Sequence, residues 1–173
     1  MTPGELQAAL NARRDDVAAA FAALSPREFT RAAPGRWSAA QHLDHLTRSN
    51  RTLAQGLTLP REQFAARPAG QPGMNHDALR DAYRARLATG QVQASGRYLP
   101  DPHGTQHEQL QAYHASMTLL GEALGAFPDE PALDTLTLPH PALGNLSVRE
   151  LLYFTLYHNE HHLRGVQAAL ETP

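Results

Sequence analysis

The chain has 173 residues, a formal net charge of −2 and no cysteine. Its length fits one domain over residues 1–173, and its dispersed charges give no electrostatic argument for nucleic-acid binding. The lack of cysteine excludes disulfides, thiolate metal ligands and cysteine nucleophiles, so a bound metal must use histidine, carboxylate, carbonyl or water ligands.

The N-terminal residues and the hydropathy of the chain bear on its location. Residues 1–7 contain neither the basic segment nor the apolar run of a signal peptide. No apolar run in the sequence approaches the length that spans a membrane. We therefore expect a cytoplasmic protein that has no membrane partner.

Two long helices are predicted in the first third of the chain. Apolar residues recur at helical spacing over residues 3–24, and a turn or short helix follows over residues 25–29. Ser38 with Gln41 forms a capping-box pattern, which predicts that the second helix begins there and continues to about Leu57.

The second predicted helix contains two histidines that can be considered as metal ligands. Its apolar residues define a core face, and His42 lies nearer the centre of that face than His45. Periodicity alone therefore slightly favours His42. His45 lies on a flank with small residues, and a ligand there is also acceptable because such a flank can border a cavity.

The middle of the chain is predicted to alternate between connections and one short helix. Residues 59–73 are rich in proline, glycine, alanine and glutamine and form a long connection. The stretch Asn75-His76-Asp77 is predicted to cap a helix over residues 78–87, and residues 89–104 are predicted to be a loop.

A further long helix is predicted over residues 105–127. His107 and His114 lie on one face of it, but nothing else in the sequence converges on them, so we expect no metal site there. Residues 133–145 then form a connector, which is the only short strand candidate in the sequence.

The last predicted helix contains the most informative pattern. Ser147 with Glu150 forms a capping box at its start. One face collects six residues at helical spacing: Leu151, Thr155, His158, His162, Val166 and Ala169. A single inward histidine is usually bonded to a carbonyl or a water, but two imidazoles one turn apart can hold one metal ion. Four main helices with a long central connection predict an all-α fold, a four-helix bundle with a long crossover connection.

Three stretches of the sequence resemble the DinB-like (DinB/YfiT) superfamily. The start of that family's second helix is similar to Trp37-Ser-Ala-Ala-Gln-His-Leu-Asp-His45-Leu46. The family's HPxLGxLTxxExLxF motif is similar to His140-Pro-Ala-Leu-Gly144-Asn-Leu-Ser147-Val-Arg-Glu150-Leu-Leu-Tyr-Phe154. Its HxxHH motif is similar to His158-Asn-Glu-His161-His162. The resemblance implies a four-helix bundle that holds a divalent metal ion, usually nickel or zinc, with three histidines.

By this resemblance the metal ligands are His45, His158 and His162, whereas His161 projects sideways. The resemblance thus selects His45 over His42, and it agrees with the helical periodicity for the other two ligands. The chain departs from the family at Gly165, where many members carry glutamine.

The resemblance also implies a function. Characterised relatives are transferases that join a low-molecular-weight thiol, such as bacillithiol or mycothiol, to a small electrophile, or isomerases that use such a thiol. Others are described as metal-dependent hydrolases. The expected function is therefore a metal-dependent thiol S-transferase, with a hydrolase or a non-catalytic stress- or damage-responsive binding protein as alternatives.

The expected partners are a small-molecule substrate and, less directly, a second copy of the chain. Arg48 or Arg164 is a candidate to hold an anionic substrate near the metal, although both can equally be surface residues. Three leucines of the last helix lie off the ligand face and suggest either a homodimer interface or packing inside the bundle: Leu156, Leu163 and Leu170.

Overall fold

The computed structural model describes residues 1–127 and 129–171 and is mostly helical. Within these residues the α-helices are α1 (Pro3–Ala22), α2 (Pro26–Thr30), α3 (Ala39–Leu57), α4 (His76–Ala88), α5 (Gln106–Leu124), α6 (Glu130–Thr135) and α7 (Val148–Leu170). The strands are β1 (Ala65–Ala66), β2 (Leu136–His140) and β3 (Gly144–Ser147).

Helices α1, α3, α5 and α7 form a four-helix bundle. Both α1 and α3 contact α5 and α7, so α3 and α7, which carry the candidate ligands, are neighbours. The core between the helices is filled by large apolar side chains such as Leu10, Phe21, Leu46 and Leu120. The predicted fold class is confirmed, and α4 lies in the crossover and packs on α7.

Side-chain caps determine where the bundle helices begin. The hydroxyl oxygens of Ser38 and Ser147 accept hydrogen bonds from the amides of Gln41 and Glu150, both at 3.2 Å. The side chains of Gln41 and Glu150 accept in return from the amides of the two serines, which completes both capping boxes. These two predicted helix starts are confirmed.

Strands β2 and β3, which lead into α7, form a small antiparallel sheet with β1 from the crossover, in the order β1-β2-β3. The strand character predicted there is confirmed, but β1 was not predicted, because only its pairing of Ala65 with Thr137 makes that short segment a strand. His140 closes the turn between β2 and β3, since its Nδ1 accepts hydrogen bonds from the amides of Ala142 and Leu143 at 3.2 Å each.

Glu150 ties the crossover to the start of α7. Besides capping the helix, its carboxylate accepts a hydrogen bond from the amide of Met74 at 2.7 Å and pairs with Arg67 at 2.6 Å. Burial alone would raise the pKa of Glu150, but these amide donors and the Arg67 guanidinium together lower it. The first turn of α7 is therefore held from both sides.

The leucines of α7 that lie off the ligand face pack mainly inside the bundle. Leu156 belongs to the buried core, Leu163 packs against that core, and Leu170 is 38% exposed. The homodimer stays a prediction, as does the single domain over residues 1–173. Among the helices of residues 1–127 and 129–171, none has the length and apolar character needed to cross a membrane.

Candidate metal centre

Three buried histidines meet between α3 and α7. Nε2 of His158 lies 3.1 Å from Nε2 of His45 and 3.0 Å from Nε2 of His162. One ring nitrogen from each of the three lies within 4.8 Å of the others. The structure thus brings together the three histidines that the sequence singled out as metal ligands.

These nitrogen separations match those of ligands that share one ion. Two imidazole nitrogens at about 2.1 Å from a metal are about 3.0 Å apart at a right angle and about 3.4 Å apart at a tetrahedral angle. The observed separations of 3.0 and 3.1 Å lie at the first value. The donor set therefore fits a divalent ion held on one side by three histidines.

The orientation of His45 is fixed by a loop outside the bundle. Its Nδ1 donates to the backbone carbonyl of Tyr98 at 2.6 Å, in a 3₁₀ turn over Gly96–Tyr98. A carbonyl can only accept, so the proton of neutral His45 is on Nδ1 and the lone pair is on Nε2. Nε2 is the atom that faces His158, so this tautomer is the one that can ligate a metal.

The environment keeps the three imidazoles neutral. Burial, followed by the neighbouring histidines, lowers the pKa of His158 and of His162 well below the usual value. Burial also lowers the pKa of His45, although the hydrogen bond to Tyr98 opposes that effect. Neutral imidazole is the form that binds metals, so the site does not have to release histidine protons when a cation binds.

Aromatic rings enclose the cluster on two sides. The Trp37 ring centroid is 5.0 Å from that of His45 and 5.9 Å from that of His162, and it is nearly parallel to the latter. On the other side, the ring of Phe154 stacks on His158 with centroids 4.9 Å apart. These rings cover the cluster with apolar surface, and electrostatic interactions are stronger in such surroundings than in water.

Three further histidines lie nearby without belonging to the triad. His42 is half-buried, and its Nδ1 lies 2.7 Å from Nδ1 of His162. His161 is half-buried, and its ring centroid lies 5.2 Å from that of His162. On the opposite side of the site, the ring centroid of His140 lies 4.2 Å from that of Phe154, which stacks on His158. His45 is therefore the residue in the triad, and His42, which periodicity favoured, contacts His162 instead.

The charged residues beside the ligands in the sequence are bound to other groups. Asp44 pairs with Arg48 at 2.7 Å and also accepts from the amide of Asp101, while Glu160 pairs with Arg13 at 3.2 Å and with Arg164. Neither carboxylate is available as a base without breaking these contacts. The two arginines proposed for an anionic substrate are likewise paired on the surface.

Sequence reasoning missed the residues that orient the triad. Nothing in the sequence indicates that the Tyr98 carbonyl would reach His45, because the intervening loop has no periodic pattern. Trp37 was recognised only as a helix-start residue, and its contact with two ligands depends on how α3 and α7 pack. His107 and His114 are exposed on α5, away from the triad.

The fold and the site together define a class of protein, an all-α four-helix bundle with a histidine triad that can hold a metal ion. A family model described as the DinB superfamily matches residues 9–166, and the chain belongs to that superfamily. Among curated proteins, none matches.

A solved structure supports the fold. The crystal structure described as that of TT2238, a four-helix bundle protein, superimposes with a TM-score of 0.60 at 21% sequence identity, over 96% of this chain and 99% of that chain. At this identity the likeness shows the fold alone.

Proposed function

We propose that the chain is a divalent-metal enzyme that transfers a low-molecular-weight thiol of the bacillithiol type to small electrophiles, with His45, His158 and His162 as the ligands of nickel or zinc. The observation that carries this proposal is the convergence of three buried, neutral imidazole nitrogens on one point. Three protein ligands leave coordination positions for a substrate, as in catalytic metal sites.

The proposed division of labour follows from the residues present. A bound divalent ion would lower the pKa of a thiol that reaches it, so that the thiol reacts as the thiolate. The histidines orient the ion, and the Trp37 and Phe154 rings keep water away from the reacting groups. The chain itself has no cysteine, so the thiol has to come from a small-molecule cosubstrate.

The state of the nearby carboxylates favours thiol transfer over hydrolysis. Hydrolysis at a metal centre usually needs a general base beside the attacking water. Asp44 and Glu160 are both held in ion pairs, whereas deprotonation of a thiol at a metal needs no separate base. A metal-dependent hydrolase is therefore the second candidate.

Metal analysis of purified protein tests the site. We expect one divalent ion per wild-type chain and no stoichiometric ion in His45→Ala, His158→Ala or His162→Ala. His161→Ala is the matched control, since it removes a neighbouring imidazole from outside the triad and should keep the ion. A wild-type protein that binds no divalent metal would contradict the proposal.

Thiol consumption tests the reaction. Metal-loaded protein is mixed with bacillithiol, mycothiol or glutathione and with monochlorobimane, and conjugate formation is followed against the three alanine variants. We expect metal-dependent conjugation with one of the thiols. Metal binding without conjugation, together with metal-dependent cleavage of model esters, would replace transferase with hydrolase.

A further inference from the structure

His42 makes a short contact that its place outside the triad does not explain. Its Nδ1 lies 2.7 Å from Nδ1 of His162, a hydrogen-bond distance between two atoms that can each donate or accept. One of the two must carry a proton and the other must not, because two lone pairs do not approach that closely. The position of that proton decides which nitrogen of His162 is free.

The proton on His162 has only one arrangement that suits metal binding. If His42 donates, neutral His162 holds its own proton on Nε2, which points at His158 and blocks coordination. If His42 accepts, the His162 proton is on Nδ1 and the Nε2 lone pair faces the other two ligand nitrogens. The accepting arrangement places the remaining proton of His42 on Nε2.

His45 provides an internal comparison for this arrangement. Its Nδ1 donates to the Tyr98 carbonyl, which fixes Nε2 as the ligand atom. Metal-ligating histidines in general donate their second ring N–H to an acceptor that sets the tautomer and the ring orientation. We propose that His42 does for His162 what the Tyr98 carbonyl does for His45: it is a positioning residue that accepts the Nδ1–H of His162 and so presents Nε2 to the metal. The inference rests on the proposed metal site.

The surroundings of His42 hold it in place for this role. The Trp37 ring meets it edge-on, with centroids 5.5 Å apart, and fixes one side of the imidazole. On the α7 side, His42 faces Gly165, where an added β-carbon would lie 3.7 Å from its Cε1, an ordinary contact. A groove of about 350 Å³ also borders His42 and gives solvent access to this imidazole. The residues that line the groove do not include the three histidines of the triad.

The alternative is that His42 only fills space at the start of α3. The two explanations differ in what a replacement must preserve. A space-filling residue can be replaced by any side chain of similar size, whereas a positioning residue can be replaced only by one that keeps an acceptor at the Nδ1 position. The amide oxygen of asparagine, two bonds beyond Cβ, can occupy that position, but leucine offers no acceptor there.

The experiment measures metal binding in His42→Leu and His42→Asn. Affinity for Zn²⁺ is obtained by competition with a chromogenic chelator, and Co²⁺ loading gives the ligand-field spectrum. We expect His42→Leu to bind Zn²⁺ about 10–100-fold more weakly and to change the Co²⁺ spectrum, and His42→Asn to recover most of the affinity and the spectrum. Gly165→Ala is the matched control, because it adds a methyl group beside His42 without removing the acceptor.

Nitrogen-15 NMR of the Zn²⁺-loaded protein supplies a readout that does not depend on a variant. We expect His162 as the Nδ1–H tautomer and His42 as the Nε2–H tautomer. A His42 that carries its proton on Nδ1 while His162 is the Nδ1–H tautomer, or a His42→Leu protein that matches wild type in affinity and Co²⁺ spectrum, would overturn the role of His42 while leaving the metal site intact. A wild-type protein that binds neither Zn²⁺ nor Co²⁺ would overturn the proposed function as well, so the two failures are distinguishable.

Discussion

Two polar clusters lie in the core of the same bundle, and they satisfy their hydrogen-bonding groups differently. One is the histidine triad. The other, which we call the amide network, connects α3, α5 and α7 and consists of Asn50, Tyr113, Ser116 and Asn159. His158 and Asn159 are consecutive in sequence, so α7 contributes to both clusters.

The amide network is satisfied within the protein. The Tyr113 hydroxyl donates to Asn159 at 2.9 Å, and the Asn159 amide donates to Asn50 at 3.3 Å and to the carbonyl of Thr155 at 2.9 Å. Asn50 donates to Ser116 at 3.4 Å. Every donor named here meets an acceptor, so this cluster needs no ligand and orders three helices against one another.

The triad has an excess of lone pairs instead. His45 presents an unprotonated Nε2 because the one ring proton of the neutral imidazole is on Nδ1, which donates to the Tyr98 carbonyl. Nε2 of His158 faces Nε2 of both His45 and His162. A single N–H at that position can donate well to only one of these two nitrogens, whereas a cation can accept lone pairs from all three. The comparison teaches that burial of polar groups alone does not mark a binding site, whereas three imidazole nitrogens that converge on one point can hold a metal ion.

Removing the central ligand should have the largest effect. In His158→Ala we expect stoichiometric metal binding to be lost, because His158 contacts both other ligands. Zn²⁺ at about 100 times its dissociation constant should raise the free energy of unfolding of wild type by about 2.7 kcal/mol and leave that of the variant unchanged. Urea unfolding with and without Zn²⁺ measures this, and His161→Ala should behave as wild type. A zinc effect that survives in His158→Ala would place the ion elsewhere.

The amide network should respond in the opposite way to substitution. Asn159→Leu removes the acceptor of the Tyr113 hydroxyl and the donor to Oδ1 of Asn50, so we expect the free energy of unfolding of the metal-free protein to fall by about 3 kcal/mol. Zinc affinity should stay close to that of wild type. Urea unfolding and chelator competition measure the two quantities, with the exposed Gln167→Ala as control. Loss of zinc binding at an unchanged free energy of unfolding would show that Asn159 contributes to metal binding and not to stability.

His140, a half-buried histidine outside the triad, accepts its hydrogen bonds from within the protein, as the amide network does. Burial lowers the pKa of His140 from its usual 6.5 to about 4, and its Nδ1 accepts two amide hydrogen bonds. Because the unfolded chain binds the proton more readily, the contribution of His140 to stability should be fully present above pH 6.5 and should decrease by about 3 kcal/mol as the pH drops to 4.

The variant His140→Asn isolates that contribution. Asparagine keeps an acceptor for the turn but does not titrate, so the free energy of unfolding should depend less on pH between 6.5 and 4 than in wild type. Chemical denaturation of metal-free protein across this range measures the difference, with the exposed His107→Asn as control. Identical pH profiles for wild type and His140→Asn would show that folding does not lower the pKa of His140.

The smallest expected effect is at Gly165, one turn beyond the triad. An exposed glycine inside a helix costs conformational entropy, so Gly165→Ala should raise the free energy of unfolding by about 0.5–1 kcal/mol. The added methyl group makes only ordinary contact with His42, so zinc affinity should not change. Thermal unfolding and chelator competition check this, and a destabilised variant would show that α7 needs the glycine for close packing.

Much of the fold could be predicted from local sequence. The capping serines at Ser38 and Ser147 fix the starts of α3 and α7, and the apolar residues at helical spacing fix their inward faces. Strand β1 could not be predicted, because Ala65 and Ala66 have no strand pattern of their own and become a strand only by pairing with β2.

The sequence by itself determined that His158 and His162 share the inward face of one helix, since a spacing of four residues places side chains one turn apart. It did not separate His42 from His45 without the family resemblance, because both lie near the inward face of α3. Only the tertiary structure decided that choice, by placing the Tyr98 carbonyl on Nδ1 of His45 and His42 on Nδ1 of His162. The tautomer of a ligand depends on a hydrogen bond from a distant part of the chain, and helical periodicity carries no information about such a bond.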